Sequence, residues 1–249
     1  MRKFALALLA LATALAITQK ASADPVLTLQ LTSGTSLVTI TDGGANDSNL
    51  NAGQITYIGA VGTDWTTNVS TGSGYPFETG VDPLLDITSI DATASAGADP
   101  LTILLTETGL TSPDYPIGDN IGWVSNIGGT NQNSDTTVTS MAWLSAANAA
   151  FCDTVTCGTE VADTGALTGT AFSGSASGGA DTGNGPYSMT LEVVIDPNGA
   201  VVQTSFDNSL SQTPEPSSLL LLGTGLLGLA LLAFRRAKAS PRLGFNRVA

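Results

Sequence analysis

The chain lacks basic residues over most of its length. It contains no histidine, and its eight Lys and Arg residues all lie at or before Lys20 or at or after Arg235. All 21 acidic residues lie between Asp24 and Glu215, so the long central part is acidic without any cation. Because no positive charge is present there to neutralise phosphate, nucleic-acid binding is excluded. Serine or cysteine hydrolases of the usual type are excluded as well, since their general base is generally His or Lys.

Long apolar runs are confined to the two ends of the chain. At the N-terminus, Arg2 and Lys3 precede an apolar stretch, Phe4 to Ile17, and the small residues Ala21-Ser22-Ala23 follow. This order is typical of a secretory signal peptide, here residues 1–23. It predicts export by the general secretory (Sec) route and cleavage by signal peptidase after Ala23. The alternative is an uncleaved anchor, but the apolar stretch is short for a membrane span.

The second apolar run, residues 217–234, precedes a basic tail at 235–249. As a helix the run would cover about 27 Å, against a bilayer core of about 30 Å. The tail carries Arg235, Arg236 and Lys238, and basic flanks stay in the cytoplasm. The pattern predicts a transmembrane helix with a stop-transfer tail, an N-out topology and an inner-membrane location.

Directly before this run stands the triplet Pro214, Glu215 and Pro216. The triplet, the Leu/Gly-rich run and the closing Arg-Arg pair resemble the PEP-CTERM sorting signal of bacterial surface proteins, here at 214–249. The resemblance implies recognition at the triplet by exosortase, a membrane-embedded cysteine peptidase that cuts near it and releases or transfers the protein. It also implies a final location at the cell surface or in the extracellular matrix.

Cysteine is scarce: Cys152 and Cys157 are the only two. In an exported chain, two cysteines at close spacing predict a disulfide, here closing a small loop between strands. A redox or metal pair is the alternative. However, two thiols without His or further Cys make an incomplete zinc set, and the spacing is not Cys-x-x-Cys.

Between the signals, residues 24–207 are predicted to form one acidic domain, joined to the anchor by a linker at 208–213. Short alternating segments separated by Gly, Asn, Asp and Pro predict an all-β fold, an antiparallel β-sandwich or jelly roll. Ser145 to Phe151 is the one stretch that could form a short helix, and Ser173 to Gly185 is predicted to be a low-complexity loop. The predicted strands are Val26–Leu31, Ser36–Thr41, Gln54–Val61, Trp65–Ser70, Leu84–Ile90, Leu101–Glu107, Ile121–Ile127, Thr136–Leu144, Leu167–Phe172, Tyr187–Ile195 and Ala200–Phe206.

Calcium is the metal ion that an acidic, oxygen-rich surface would bind. Asp42, Asn46, Asp47 and Asn49 offer oxygen ligands in one Gly-containing loop. The spacing matches neither the EF-hand nor the glycine-aspartate nonapeptide, and Asp, Asn and Gly are also the residues that β-turns require. A solvated turn is favoured, and no cofactor is assigned.

The resemblance to the PEP-CTERM signal implies a surface or extracellular-matrix protein associated with exopolysaccharide or a cell-envelope glycan, and we expect it to be non-enzymatic. One alternative is a carbohydrate-binding module, for which Tyr75 and Tyr115, beside prolines in loops, are the expected exposed aromatics; Trp65, Trp123 and Trp143 are expected to be buried. Another is a secreted glycoside hydrolase, which needs only two carboxylates, but the sequence marks no particular pair.

Overall fold

The computed structural model describes residues 25–78, 84–111, 117–118, 121–213 and 218–239. The chain divides into two compact units, Met1–Thr213 and Pro214–Ala249, which are described separately. The predicted signal peptide, with Ala21 and Ala23, lies outside the described residues.

The first unit is built from β-strands, which confirms the predicted all-β class. The strands are β1 (Val26–Ser33), β2 (Ser36–Thr41), β3 (Gln54–Val61), β4 (Trp65–Ser73), β5 (Leu85–Ala94), β6 (Leu101–Leu110), β7 (Ile121–Asn131), β8 (Thr137–Ser145), β9 (Thr159–Asp163), β10 (Ala171–Ala180), β11 (Tyr187–Asp196) and β12 (Val202–Gln212).

These strands form two six-stranded sheets. The first sheet has the order β2-β1-β6-β11-β8-β9 and the second has the order β10-β7-β12-β5-β4-β3. Every strand pair in both sheets is antiparallel. Side chains of both sheets contribute to one apolar core, so the unit is a β-sandwich.

The core follows from the alternation seen in the sequence. Leu27, Leu29 and Leu31 on β1 are all buried, while the residues between them are partly exposed. In register beside them, β6 and β11 present the same kind of side chain, with Leu105 next to Leu29 and Leu191. Successive side chains of a strand point to opposite faces, so this face of the first sheet is the core face.

Glycines at the end of β4 and just after it let the two sheets approach closely. A Cβ on Gly72 would lie 2.8 Å from the Leu105 side chain, and one on Gly74 would lie 2.8 Å from the Glu107 carboxylate. Only a residue without a side chain leaves room for these two groups of the first sheet.

Two predicted features of the middle of the chain are wrong. Ser145–Phe151 forms turns and not a helix, and it connects β8 to β9, a strand that the sequence pattern did not reveal. The predicted low-complexity loop at 173–185 is mostly strand, because β10 pairs with β7 along its whole length. Gly, Ser and Ala have weak strand preferences, but the neighbouring strand supplies the hydrogen bonds.

The predicted linker at 208–213 is instead the C-terminal half of β12. Asn208 is buried, and its side chain bonds with the hydroxyls of Ser125 and Ser140 at 3.2 and 2.7 Å. Leu210 is fully buried. The polar composition that indicated a linker therefore belongs to a hydrogen-bonded central strand, flanked by β5 and β7.

The second unit contains one described helix, α1 (Ser218–Ala239), rich in leucine with glycines at 223, 225 and 228. Its large apolar side chains that are described are exposed: Leu226, Leu227, Leu229, Leu231 and Phe234.

Candidate functional site

The strand β12 leads directly into the predicted sorting signal. Gln212, its last residue, lies opposite Trp123 of β7. The next residue, Thr213, donates its backbone N–H to the carbonyl oxygen of Gly122 at 2.9 Å. Pro214 therefore follows a residue that is hydrogen-bonded to the second sheet, with no linker between. The predicted recognition residues Pro214, Glu215 and Pro216 themselves lie outside the described residues.

The helix α1 carries the predicted basic cluster at its C-terminal end. Arg235 is exposed, and Arg236 and Lys238 follow within the helix. Among the described residues no helix meets the length and apolarity of a membrane-spanning segment. The transmembrane prediction for 217–234 is therefore not confirmed.

The loop proposed for calcium is held by its own carboxylates. Oδ2 of Asp47 accepts a hydrogen bond from the backbone N–H of Gly43 at 2.9 Å, and Oδ1 accepts from Asn49 at 2.9 Å and from Thr56 at 3.0 Å. Asp42 accepts from the backbone N–H of Gly53 at 2.7 Å. These oxygens close the turn between β2 and β3.

The two asparagines considered as calcium ligands, Asn46 and Asn49, also have structural roles. Asn49 accepts from the N–H of Asn51 at 3.0 Å and donates to the Thr56 hydroxyl at 3.2 Å. Asn46 adopts a positive φ of 69°, a conformation that Asn tolerates better than most residues. Within the described part of the chain, no group of three His, Cys, Asp or Glu residues is arranged to hold a metal ion. The arrangement is that of a hydrogen-bonded turn.

Cys152 and Cys157 form a disulfide with their Cα atoms 5.5 Å apart, which confirms the predicted bridge. The β8–β9 connection that contains it lies against the outer face of the first sheet. There Asn148 accepts the backbone N–H of Gly109 at 2.7 Å, and Phe151 donates its N–H to the Thr106 hydroxyl at 3.2 Å. The bridged loop thus covers part of a sheet face that would otherwise be open to solvent.

On the same outer face, Trp143 and Glu192 are buried together. The indole N–H of Trp143 donates to the Glu192 carboxylate at 2.7 Å. Burial raises the pKa of Glu192 to about 7, the Trp143 hydrogen bond opposes this rise, and Asp153, Asp163 and Glu160 add to it. Glu192 is therefore close to half protonated at neutral pH.

A further carboxylate lies inside the core. Glu107, with no exposed surface, points into the sandwich beside Leu27 and Met189. One oxygen accepts the backbone N–H of Tyr75 at 2.9 Å, and Oε2 has no hydrogen-bond partner. Burial raises its pKa to about 8; the Tyr75 hydrogen bond opposes this rise and the charge of Glu78 adds to it, so the group is mostly neutral at pH 7.

An acidic cleft of about 400 Å³ opens on the outer face of the second sheet. It is lined by Asp86, Asn126, Ile127, Gly128, Asp207, Asn208 and Ser209. Burial, followed by the charges of Glu78 and Asp207, raises the pKa of Asp86 to about 6. The register shift between β12 and β5 at Phe206 and Asn208 brackets Asp207.

The aromatic residues that could stack on a sugar do not form an exposed platform in the described part of the chain. Trp65 and Trp123 are buried in the core, and Trp143 is 5% exposed on the outer face of the first sheet. Tyr75, expected to be exposed, is half-buried and packs against the core. Tyr115 lies outside the described residues.

Glu107 could have been found from the sequence, and Asp86 could not. Glu107 shares the parity of Leu101, Ile103 and Leu105 on one strand, which predicts a core position. The pKa of Asp86 is raised by burial and then by the charges of Glu78 and Asp207, and strand pairing brings Asp207 to it from far along the chain.

Comparison with protein families supports the C-terminal assignment. The family described as "PEP-CTERM protein-sorting motif" matches residues 212–237. The chain therefore carries a PEP-CTERM sorting signal, which implies an exported protein that exosortase sorts toward the cell envelope or surface. The match begins at Gln212, so its first two residues belong to the β-sandwich unit. The comparison with curated proteins finds no match.

Two solved structures show limited similarity. One is the enzymatically active domain of tailspike protein 4 from bacteriophage CBA120, at 15% identity and a TM-score of 0.27, covering 61% of this chain and 20% of that one. The other is the K1 cleaved adhesin domain of Lys-gingipain from Porphyromonas gingivalis, at 9% identity and a TM-score of 0.30, covering 70% of this chain and 96% of that one. This chain thus spans a fifth of the tailspike chain. At these TM-scores neither similarity carries a conclusion.

Proposed function

We propose that this protein is a non-enzymatic component of the cell surface or extracellular matrix, which exosortase processes at the triplet Pro214, Glu215 and Pro216. The observation that carries the proposal is the family match over residues 212–237. The signal-peptide pattern at the other end of the sequence and the disulfide agree with an exported chain.

Membrane anchoring before processing is part of this proposal. Its support is the sequence of 217–234, which is uncharged, together with the basic residues that follow it. The basic tail at 235–249 would stay in the cytoplasm, and the acidic domain would face outward.

The outer face of the second sheet supports a matrix role. Asn68, Asp91, Ser205 and Thr130 lie in register on four adjacent strands, β4, β5, β12 and β7. Neighbouring strands are about 4.8 Å apart, so this row presents short hydrogen-bonding side chains across roughly 15 Å. Such a face suits a hydrated, hydroxyl-rich polymer, and we assign an exopolysaccharide or envelope glycan as the contact.

The intact mass of the protein, recovered from cells and from medium, tests the sorting step. Wild type is compared with Pro214→Ala combined with Pro216→Ala. We expect a wild-type product that starts at Asp24, ends near Pro214 and lies outside the cell, and we expect the variant to keep its C-terminus. An uncut wild-type chain that ends at Ala249 in the membrane fraction would contradict the proposal.

The cleft at Asp86 favours a second candidate, a glycoside hydrolase. A carboxyl group with a raised pKa beside a second carboxylate is the arrangement that such enzymes use for acid and base catalysis. Turnover of a glycan that is lost in both Asp86→Asn and Asp207→Asn, but kept in Asp135→Asn, an exposed position outside this face, would establish this candidate. No turnover by the wild type across a polysaccharide panel is the result expected from the structural role.

A further inference from the structure

The sorting signal and the folded domain share residues. The family match begins at Gln212, and Gln212 and Thr213 are also the end of the second sheet, opposite Trp123 and Gly122 of β7. The residues just before them are firmly placed, since Leu210 is fully buried and Ser211 is 8% exposed. Only Thr213 therefore stands between the last β12 residue and the recognition triplet.

The contact at this strand end depends on a glycine. A Cβ on Gly122 would collide with Oγ1 of Thr213, and the next nearest atoms are also in the Thr213 side chain. The absence of a side chain at 122 is what lets Thr213 lie against β7 and donate its N–H to the Gly122 carbonyl. By contrast, a Cβ on Gly128, on the same strand, would meet only the Phe172 carbonyl oxygen at 3.9 Å.

Given the proposed processing by exosortase, we propose that the end of β12 limits that processing, with Gly122 and Thr213 as positioning residues. A chain segment bonded into a sheet must open locally before a peptidase can act on it, and the rate of cleavage then follows the population of the open form. Here the segment that must open is Ser211 to Thr213, because Thr213 directly precedes Pro214 in the sequence.

The test is pulse-chase processing of the full chain in a host that makes exosortase. Gly122→Val places a branched side chain where Thr213 lies, and Gly128→Val is the matched control on the same strand. Gly122→Val combined with Thr213→Gly restores the space. A separate variant inserts six Gly and Ser residues between Thr213 and Pro214, which supplies slack without changing the sheet or the triplet.

We expect Gly122→Val to speed processing by about fivefold, the effect of removing roughly one backbone hydrogen bond from the closed state. The insertion should speed processing at least as much, because the triplet then becomes accessible without opening of the sheet. Gly128→Val should keep the wild-type rate, and Thr213→Gly should return Gly122→Val toward it. The insertion leaves the domain unchanged, so it keeps the test valid even if Gly122→Val impairs folding.

Equal or slower processing of the insertion variant, with processing still abolished by Pro214→Ala and Pro216→Ala, would overturn this inference and leave the proposed function standing. A wild-type chain that is never cut would overturn both.

Discussion

The carboxylates of the β2–β3 turn and those buried in the sandwich are both stabilised without ion pairs, but by different means. No Lys, Arg or His is present between Lys20 and Arg235, so ion pairs are unavailable to either group. In the turn, Asp47 accepts three backbone N–H groups. In the core, Glu107 accepts one and leaves Oε2 without a partner, and its pKa rises to about 8. Without cations, Asp47 is stabilised by backbone donors and Glu107 by its own proton.

Among the tests of this contrast, Glu107→Gln has the largest expected effect. The pKa of Glu107 rises from an ordinary 4.5 to about 8. Below pH 4.5 the group is neutral in both the folded and the unfolded protein, so it costs no stability. As the pH rises from 4.5 through 8, the unfolded protein ionises first and the folded protein loses stability. We expect wild type to lose about 2–4 kcal/mol of unfolding free energy between pH 5 and pH 9 through this group. The amide should remove most of that loss. Denaturant unfolding at both pH values measures it.

Asp135→Asn is the control for Glu107→Gln, because it removes one charge from an exposed position. It should change the pH dependence far less. Equal slopes for wild type and Glu107→Gln between pH 5 and pH 9 would show that Glu107 is not neutral in the folded protein.

The turn provides the second test, Asp47→Ala. Three backbone N–H groups lose their acceptor, and because the site is partly solvated we expect a loss of about 1–2 kcal/mol at pH 7. Asp181→Ala is the matched change, since Asp181 accepts one backbone N–H from the described residues, that of Gly183, in an exposed turn. A loss for Asp47→Ala no larger than that for Asp181→Ala would contradict the role given to its hydrogen bonds.

Glu192 is intermediate between the two groups, since it is buried but bonded to Trp143. With its pKa at about 7, ionisation should change the charge next to the indole near neutrality. We expect tryptophan fluorescence to titrate with a midpoint near pH 7 in wild type, and not in Glu192→Gln or Trp143→Phe. A titration that persists in both variants would assign the signal to another group.

The smallest expected effect is that of calcium. Because Asp42 and Asp47 already accept backbone N–H groups, calcium would have to displace hydrogen bonds of the turn. We expect 1 mM Ca²⁺ to raise the melting temperature by less than about 2 °C beyond the rise in equal Mg²⁺, a difference well below that of a saturated specific site. A larger rise, lost in Asp47→Ala, would establish a calcium site in this loop.

Alternating apolar residues were enough to predict most of the sandwich. β2 and β3 have the predicted bounds, and β1 and β11 differ only at their ends. β10 and the end of β12 were missed because their residues are small or polar. Their strand character comes from pairing with β7, a contact between distant parts of the chain that local composition does not encode.

The candidate sites also differ in whether local sequence was enough to predict them. The sorting signal was predictable because its information is local: a triplet, an apolar run and a basic tail within 36 C-terminal residues, the unit Pro214–Ala249. The cleft at Asp86 and the pair Trp143–Glu192 were not, because strand register brings their members together from different strands.

The position of β12 also sets the order of events during export. β12 is the last strand that the structure describes, yet it lies in the middle of the second sheet, between β7 and β5. Under the proposed Sec export, that sheet cannot close until Gln212 has crossed the membrane, which is also when the sorting signal reaches it. Completion of the fold and presentation of the signal are therefore nearly simultaneous. A chain that stalls before this point exposes an unfinished sheet and no cleavage site.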